Sequence, residues 1–253
     1  MRIKIIIEYN GMTFFGWQKQ DGVISVQETL EKAIAQVFNG KEKVELFGAG
    51  RTDTGVHALG QVAHFNIYTE VLVLRWQNEI GKLVKAINYY LINSEIIVLS
   101  AEVVSNDFHA RFSARMRHYE YLIYNRKIQS VLMKDRAWHV PQKLDIQQMI
   151  KASRHFIGTH NLNSFRSARC NANNPVRTIS MVNIQQYQEI IKISISSKSF
   201  LHNQVRIMVG TLKFIGENKM DPDEIKALLI EQDRTNAGPT APPYGLYFKG
   251  VEY

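Results

Sequence analysis

Cysteine is almost missing from this sequence: Cys170 is the single thiol in 253 residues. A lone thiol excludes an internal disulfide framework and any zinc site built on paired thiolates. It sits in a polar stretch with no helix start beside it to depress its pKa, so it reads as inert rather than catalytic. Apolar runs of membrane-spanning length are missing too, and Lys4 and Glu8 break the first segment where a secretory leader would need an uninterrupted apolar core. Neither a basic amphipathic helix nor a lipidation motif occurs, which discounts a membrane surface. The expectation is a soluble, cytoplasmic protein with no membrane partner. No H-x-x-x-H or Cys/His ligand spacing occurs, so no metal site is read; no Walker loop occurs, and Gly48-x-Gly50 is too short for a dinucleotide fingerprint. Acidic residues are the scarcer charge, 23 against 31 Lys and Arg, for a net charge of +8. That excess favours a polyanionic partner, nucleic acid first.

What is present is an ordinary globular chain, 45% hydrophobic, long enough for one large domain or two small ones. Ile3, Ile5 and Ile7 alternate along a strand from Arg2 to Tyr9, which Asn10-Gly11 ends. The loop from Thr13 to Gln20 mixes aromatics, amides and a lysine, a blend that suits base stacking or a cover over the core. Ser25-Val26-Gln27-Glu28 is a capping box opening a helix, and Asn39-Gly40 closes it. Strands are expected over Lys43 to Phe47 and Gln61 to Tyr68, then a helix capped by Thr69 with Leu72, Trp76, Ile80, Leu83, Val84 and Ile87 inward, then a strand from Ile96 to Val104. A similar order follows: a strand over His118 to Tyr124, a helix capped by Asp145, a hairpin of Val176 to Gln186 and Ile190 to Ser196, a helix over Phe200 to Ile215, another starting at Asp221-Pro222, and a last strand from Gly245. The polar run from Ser164 to Asn174 is a loop. The fold class is therefore α+β: two split-βαβ (ferredoxin-like) halves sharing a mainly antiparallel central sheet, with helices on one side and a cleft at the junction. Residues 1–105 form the N-terminal βαββαβ half and residues 106–253 the C-terminal βαββααβ half.

Three constellations could carry chemistry. Between two strand-like runs lies Gly48-Ala49-Gly50-Arg51-Thr52-Asp53-Thr54-Gly55-Val56-His57-Ala58. Glycines permit tight turns and close backbone approach, so Asp53 sits at the tip of a turn on a rigid scaffold. The stretch reads equally as a polar hairpin turn. Arg51 is placed either to keep Asp53 ionised or to hold RNA phosphate. No second carboxylate lies near in sequence, as a glycosidase acid would require. The segment from Phe108 to Tyr121, if extended, carries His109, Arg111, Arg115, Arg117, Tyr119 and Tyr121 on one face. Cations interleaved with aromatics suit an RNA backbone beside an unstacked base; a solvated strand edge is the other reading. Arg206, one turn after His202 in an apolar helix, reads on spacing alone as a snorkelling cation, and otherwise as partner to a buried carboxylate.

The motifs Gly50-Arg51-Thr52-Asp53-x-Gly55-Val56-His57-Ala58, Phe108-His109-Ala110-Arg111 with Tyr119, Asn203-Gln204-Val205-Arg206, and Ala237-Gly238-Pro239-Thr240-Ala241-Pro242 with Gly245-Leu246 resemble those of the tRNA pseudouridine synthase A family. Phe15-Gly16-Trp17-Gln18 fits as well, and the resemblance runs from Arg2 to Tyr253. It implies isomerisation of uridine to pseudouridine at positions 38 to 40 of the anticodon arm of tRNA, without cofactor or metal, by a homodimer. It further implies that Asp53 is the nucleophile acting on a flipped-out uridine, that Tyr119 stacks on the target base, and that Arg206 pairs with Asp53. Arg51, His57, Arg111, Arg115 and Leu246 are the further candidates for binding the substrate. Thr54 and Phe248 depart from the family pattern, which often has Ala and an aliphatic residue there; neither departure removes a reacting group. Two other readings stand beside this one: a non-catalytic structural RNA-binding module, and an RNA N-glycosidase acting on the same bond.

Overall fold

Alternating isoleucines build the first strand. In the computed structural model, which describes residues 1–253, Ile3, Ile5 and Ile7 of β1 (Arg2–Tyr9) are fully buried, while Arg2, Lys4 and Ile6 between them stay half-exposed. Burying such side chains stabilises by roughly 1.5–3 kcal/mol each, which makes this period-two pattern a strong determinant of register. The chain divides into two compact units, residues 1–115 with 248–253, and residues 116–247.

In the first unit β1 lies between β3 (His57–Asn66) and β4 (Ile96–Val104), antiparallel to both. The two-residue β2 (Phe47–Gly48) pairs with β3, and β10 (Leu246–Glu252) lies on the other side of β3 from β1. Residues 106–115 and 248–253 therefore belong with the first unit and not with the second half, where the sequence reading put them: Arg2 and His64 bond to Phe108 and Ala110, and β10 finds its place beside β3. Three helices complete the unit: α1 (Val26–Val37), α2 (Glu70–Trp76) and α3 (Ile80–Tyr90). Ser25 caps α1 by accepting the Glu28 N–H, as the capping box predicts. Leu30, Ile34, Leu83 and Ile87 on the inward faces of α1 and α3 are fully buried.

The second unit is a sheet in the order β5 (Met116–Asn125), β9 (Ile190–Ser197), β8 (Val176–Tyr187), β7 (Gly158–Asn161), antiparallel throughout. A short β6 (Trp138–Val140) runs parallel to β5. Its helices are α4 (Ile146–Ser153), α5 (Gln204–Gly216) and α6 (Glu224–Glu231), and α4 packs on α5 and β8. Asp145 caps α4 by accepting from the N–H groups of Gln147 and Gln148. The protein is thus α+β with a mostly antiparallel sheet, as the element order indicates.

Several boundaries differ from the sequence reading, each for a local reason. The strand expected over Lys43 to Phe47 shrinks to β2 because side chains take its backbone groups: Leu46 N–H donates to the Glu31 carboxylate and Leu46 C=O accepts from Gln27. The single helix expected after Thr69 is two helices, since Glu79 N–H bonds to Trp76 C=O and the chain turns at Gln77 and Asn78. Thr69 occupies the cap position without a side-chain capping bond. The helix expected from Phe200 begins at Gln204, because Asn203 adopts a left-handed conformation that stops continuation towards its N-terminal side. The helix expected at Asp221-Pro222 begins at Glu224, with Asp221 accepting the Asp223 N–H in the turn before it. No helix is long and apolar enough to cross a membrane.

Candidate active site

In the first unit Asp53 sits in the turn between β2 and β3, and that turn is fixed by main-chain contacts from several directions. Val56 N–H donates to Asp53 C=O at 3.1 Å, closing a tight turn through Gly55, whose φ is +78°. Trp17 N–H donates to Thr52 C=O at 3.0 Å. Gly16, at φ +83°, lies so close to the turn that an added Cβ would come within 2.6 Å of Thr52 C=O and 3.3 Å of the Asp53 carbonyl carbon. Gln61 donates to Gly50 C=O, and Ala49 N–H to Val62 C=O, tying the approach to β3. Tyr9 adds a side-chain strut: its hydroxyl lies 2.7 Å from the Thr52 hydroxyl in the buried interior. Burial pushes the Tyr9 phenol up to about 12, so it stays neutral and keeps that hydrogen bond at any physiological pH. Of the aromatic loop, Phe14 and Trp17 are buried and cover the core, with Trp17 6.3 Å from the Tyr9 ring, while Phe15 remains exposed.

The other candidates of this unit have mixed placements. Arg51 is exposed beside the turn. His57 is buried and its Nδ1 accepts the Gly11 N–H at 3.0 Å, so it braces the loop against β3 and leaves little surface for a substrate. The strip expected from His109 to Arg117 is not extended. His109 Nδ1 accepts the N–H groups of Arg111 and Phe112, and Ser113 N–H bonds back to His109 C=O, which folds 109–113 into a turn. Arg111 and Arg115 are exposed, with the Arg111 guanidinium 5.6 Å from the Phe112 ring and Arg115 N–H bonded to Glu252 C=O. Alternation along one face holds only within β5, from Arg117 through Tyr119 to Tyr121.

Beneath that turn lies a cluster that sequence reasoning left unused. His64 stacks on Phe47 at 5.2 Å, meets His109 at 4.7 Å and accepts the Ala110 N–H on Nδ1. Burial, reinforced by His109 and Arg2, pushes the His64 imidazole down from 6.5 to about 4, and burial also lowers His109. The unfolded chain therefore takes up a proton near pH 6.5 that native His64 refuses until about pH 4. The stabilisation is whole above 6.5 and is lost as pH falls through that window, by on the order of 3 kcal/mol from His64. Urea midpoints are expected to drop between roughly pH 7.5 and pH 5. The drop should shrink in His64→Asn, which keeps an acceptor for Ala110 but does not titrate. An undiminished drop in the variant would move the acid sensitivity to another group.

In the second unit Tyr119 projects from β5 opposite Ile195 and its ring meets Phe200 edge-on, 5.1 Å between centroids, which fixes its orientation. Arg206 lies in the first turn of α5. Its Nε donates to Ala241 C=O at 2.7 Å, and Ala241 N–H returns a bond to Arg206 C=O at 3.0 Å. Asn203 accepts from Arg206 Nη1 at 2.9 Å. Arg206 is therefore no snorkelling surface cation but a clasp between α5 and the segment 237–242. Leu246 is buried at the start of β10, just past a tight turn over Pro243–Gly245. That turn rests on Tyr121, a fully buried ring whose hydroxyl donates to Pro242 C=O at 2.8 Å. Burial raises the Tyr121 phenol well above 10; the nearby Arg206 charge opposes this. Sequence reasoning named Tyr121 and Asn203 within their motifs but gave neither a role of its own. Tyr121 sits two residues from Tyr119 on the same face, and Asn203 falls inside the helix expected from Phe200 to Ile215.

No group of three or more His, Cys, Asp and Glu side chains is placed to hold a metal ion. A family model described as tRNA pseudouridine synthase matches residues 5–113 and 152–253. A protein of Wolbachia pipientis subsp. Culex pipiens (strain wPip), named tRNA pseudouridine synthase A, is 52% identical over 254 residues, covering 100% of both chains. Its namesake in Ehrlichia ruminantium (strain Gardel) is 47% identical over the same length, again with 100% of both covered. A solved archaeal box H/ACA sRNP Nop10-Cbf5 complex overlaps 82% of this chain and 44% of its own at a TM-score of 0.35 and 9% identity, a likeness too slight to build on.

Proposed function

We propose, from the premise that this chain belongs to the tRNA pseudouridine synthase family, that it acts on uridines at positions 38 to 40 of the anticodon stem-loop with Asp53 as nucleophile. As a member of that family it is an isomerase that turns uridine into pseudouridine in tRNA. The observation that carries the rest is the Asp53 turn, whose carboxylate rides on peptide groups pinned by Gly16, Trp17, Val56 and the Tyr9–Thr52 strut. A reacting group needs this kind of fixed placement, and a surface turn does not.

The chemistry fits one carboxylate. The N1–C1′ bond breaks, the uracil turns, C5 bonds to C1′, and the proton on C5 is lost while N1 gains one. Nothing is oxidised or reduced and no atom is added, so the reaction calls for no cofactor. Attack of Asp53 on C1′ gives a sugar ester; removal of an adjacent sugar proton by the same carboxylate gives a glycal. Either route leaves a detached base that must be retained. Tyr119, held by Phe200, offers a ring for it to stack on, and the family motif assigns the Arg206 cation to the Asp53 carboxylate. The target uridine leaves its stem for the site at a cost of a few kcal/mol. Arg51, Arg111 and Arg115 hold the displaced backbone. The enzyme works in the cytoplasm as a homodimer.

The test is tRNA tritiated at uridine C5, followed for both label release and free uracil. Release without free uracil is expected. Free uracil would point to a glycosidase, and binding with neither signal to a module that holds tRNA without altering it.

A further inference from the structure

We propose that Asn203 is a positioning residue that sets the plane of the Arg206 guanidinium. The inference rests on the reading above, in which the Arg206 cation serves the reacting carboxylate.

Asn203 stands at the N-cap of α5, the position where an asparagine side chain ordinarily accepts from the first free N–H groups of a helix. It does not do so. Its backbone is left-handed, φ 61° and ψ 6°, and its side chain makes no capping bond. The amide oxygen instead accepts from Arg206 Nη1 at 2.9 Å, while the Asn203 carbonyl takes the first helical bond, from Ile207 N–H at 3.0 Å. Asparagine adopts this region at less cost than other side chains, as Asn39 and Asn218 also do here. The helix thus forgoes a side-chain cap, and the group that benefits is the guanidinium.

Arg206 Nε is bound by Ala241 C=O at 2.7 Å. Two acceptors on separate segments, one for Nε and one for Nη1, fix a planar fork in both position and rotation, which neither could do alone. Both acceptors are neutral. Neither carries a charge of its own that would offset that of the guanidinium. An aspartate at 203 would also hold Nη1 but would spend that charge locally. An alanine would add strain and lose the contact; a glycine would lose the contact without adding strain.

These differences give the test. Tritium release kinetics and melting temperature are measured for Asn203→Gly, Asn203→Ala, Arg206→Lys and the double variant Asn203→Gly/Arg206→Lys. Asn203→Gly is expected to lower kcat roughly tenfold to a hundredfold with KM within about threefold, because misorientation of a charged group acts on the chemical step. Its melting temperature should stay close to that of the native chain, since glycine adopts the left-handed region without strain. Asn203→Ala should show the same fall in kcat with a lower melting temperature. The double variant should be no slower than Arg206→Lys by more than about twofold, the signature of two residues acting through one group. Native kcat in Asn203→Gly beside a slow Arg206→Lys overturns the positioning role alone. So do effects that multiply in the double variant. Native kcat in Arg206→Lys overturns it together with the role assigned to Arg206.

Discussion

Asp53→Asn is expected to abolish tritium release, on the order of a thousandfold or more below the native rate, while tRNA affinity stays within about tenfold. The two expectations separate because they rest on different groups. The amide keeps the size and shape of the carboxylate, and the main-chain bonds Val56 N–H to Asp53 C=O and Trp17 N–H to Thr52 C=O are untouched. The turn should therefore keep its shape. Affinity for RNA comes chiefly from cations on phosphate, and Arg51, Arg111 and Arg115 are untouched. What disappears is the negative charge and lone pair that must meet C1′ or a neighbouring proton. A fully active Asp53→Asn would discard the assignment of Asp53. An inactive variant that also fails to bind or fold would show the turn to depend on the carboxylate itself.

Gly210→Ala should be the most damaging small change in the second unit. In most helix interiors this substitution stabilises by up to about 1 kcal/mol. Here the added Cβ would fall 1.7 Å from Pro239 C=O and 3.5 Å from Ala241 N, both main-chain atoms that cannot rotate away. Segment 237–242 must lift from α5. Lifting breaks the Gly238 N–H bond to Thr211 and the reciprocal pair between Arg206 and Ala241. The expected loss is about 3 kcal/mol or more, seen as a fall in melting temperature of roughly 6–12 °C. Because the Arg206 clasp opens, kcat should fall further than tRNA affinity. Gly81→Ala in α3 is the control: nothing lies within 4 Å of its added Cβ, so it should be neutral or slightly stabilising. Equal behaviour of the two variants would refute the close approach of 237–242 to α5.

How legible all this was depended on which groups carried the structure. Where side-chain periodicity set the outcome, the sequence was a good guide: the isoleucines of β1, the Ser25 and Asp145 caps, and the hairpin of β8 and β9 form where their patterns indicate. Where a side chain reached across sequence to claim a main-chain group, it was not. Glu31 and Gln27 occupy the N–H and C=O of Leu46 and leave β2 only two residues long. His109 curls the basic strip by accepting two N–H groups that a strand would have spent on a neighbour. Asn203, expected inside the helix, instead stands at its start and clasps Arg206, an acceptor meeting a donor one helical turn away. For the site, motif and turn chemistry singled out Asp53. They could not reveal that His57 braces the loop or that Tyr121 underlies Gly245, because those roles exist only once distant segments meet.

The manner in which the Asp53 turn is pinned has a consequence for how this protein can age through generations. Its anchors are peptide planes and the empty space where a methyl group would be, at Gly16 against Thr52 and at Gly48, where a Cβ would enter the Trp17 indole. Neighbouring side chains outside the Tyr9–Thr52 and Gln61–Gly50 bonds can drift in a lineage so long as they remain roughly the right size. A single added carbon at either glycine would displace the turn outright. Selection on such an enzyme reaches residues with no side chain as well as the reacting group, and a lineage that abandons the reaction should show scars at both.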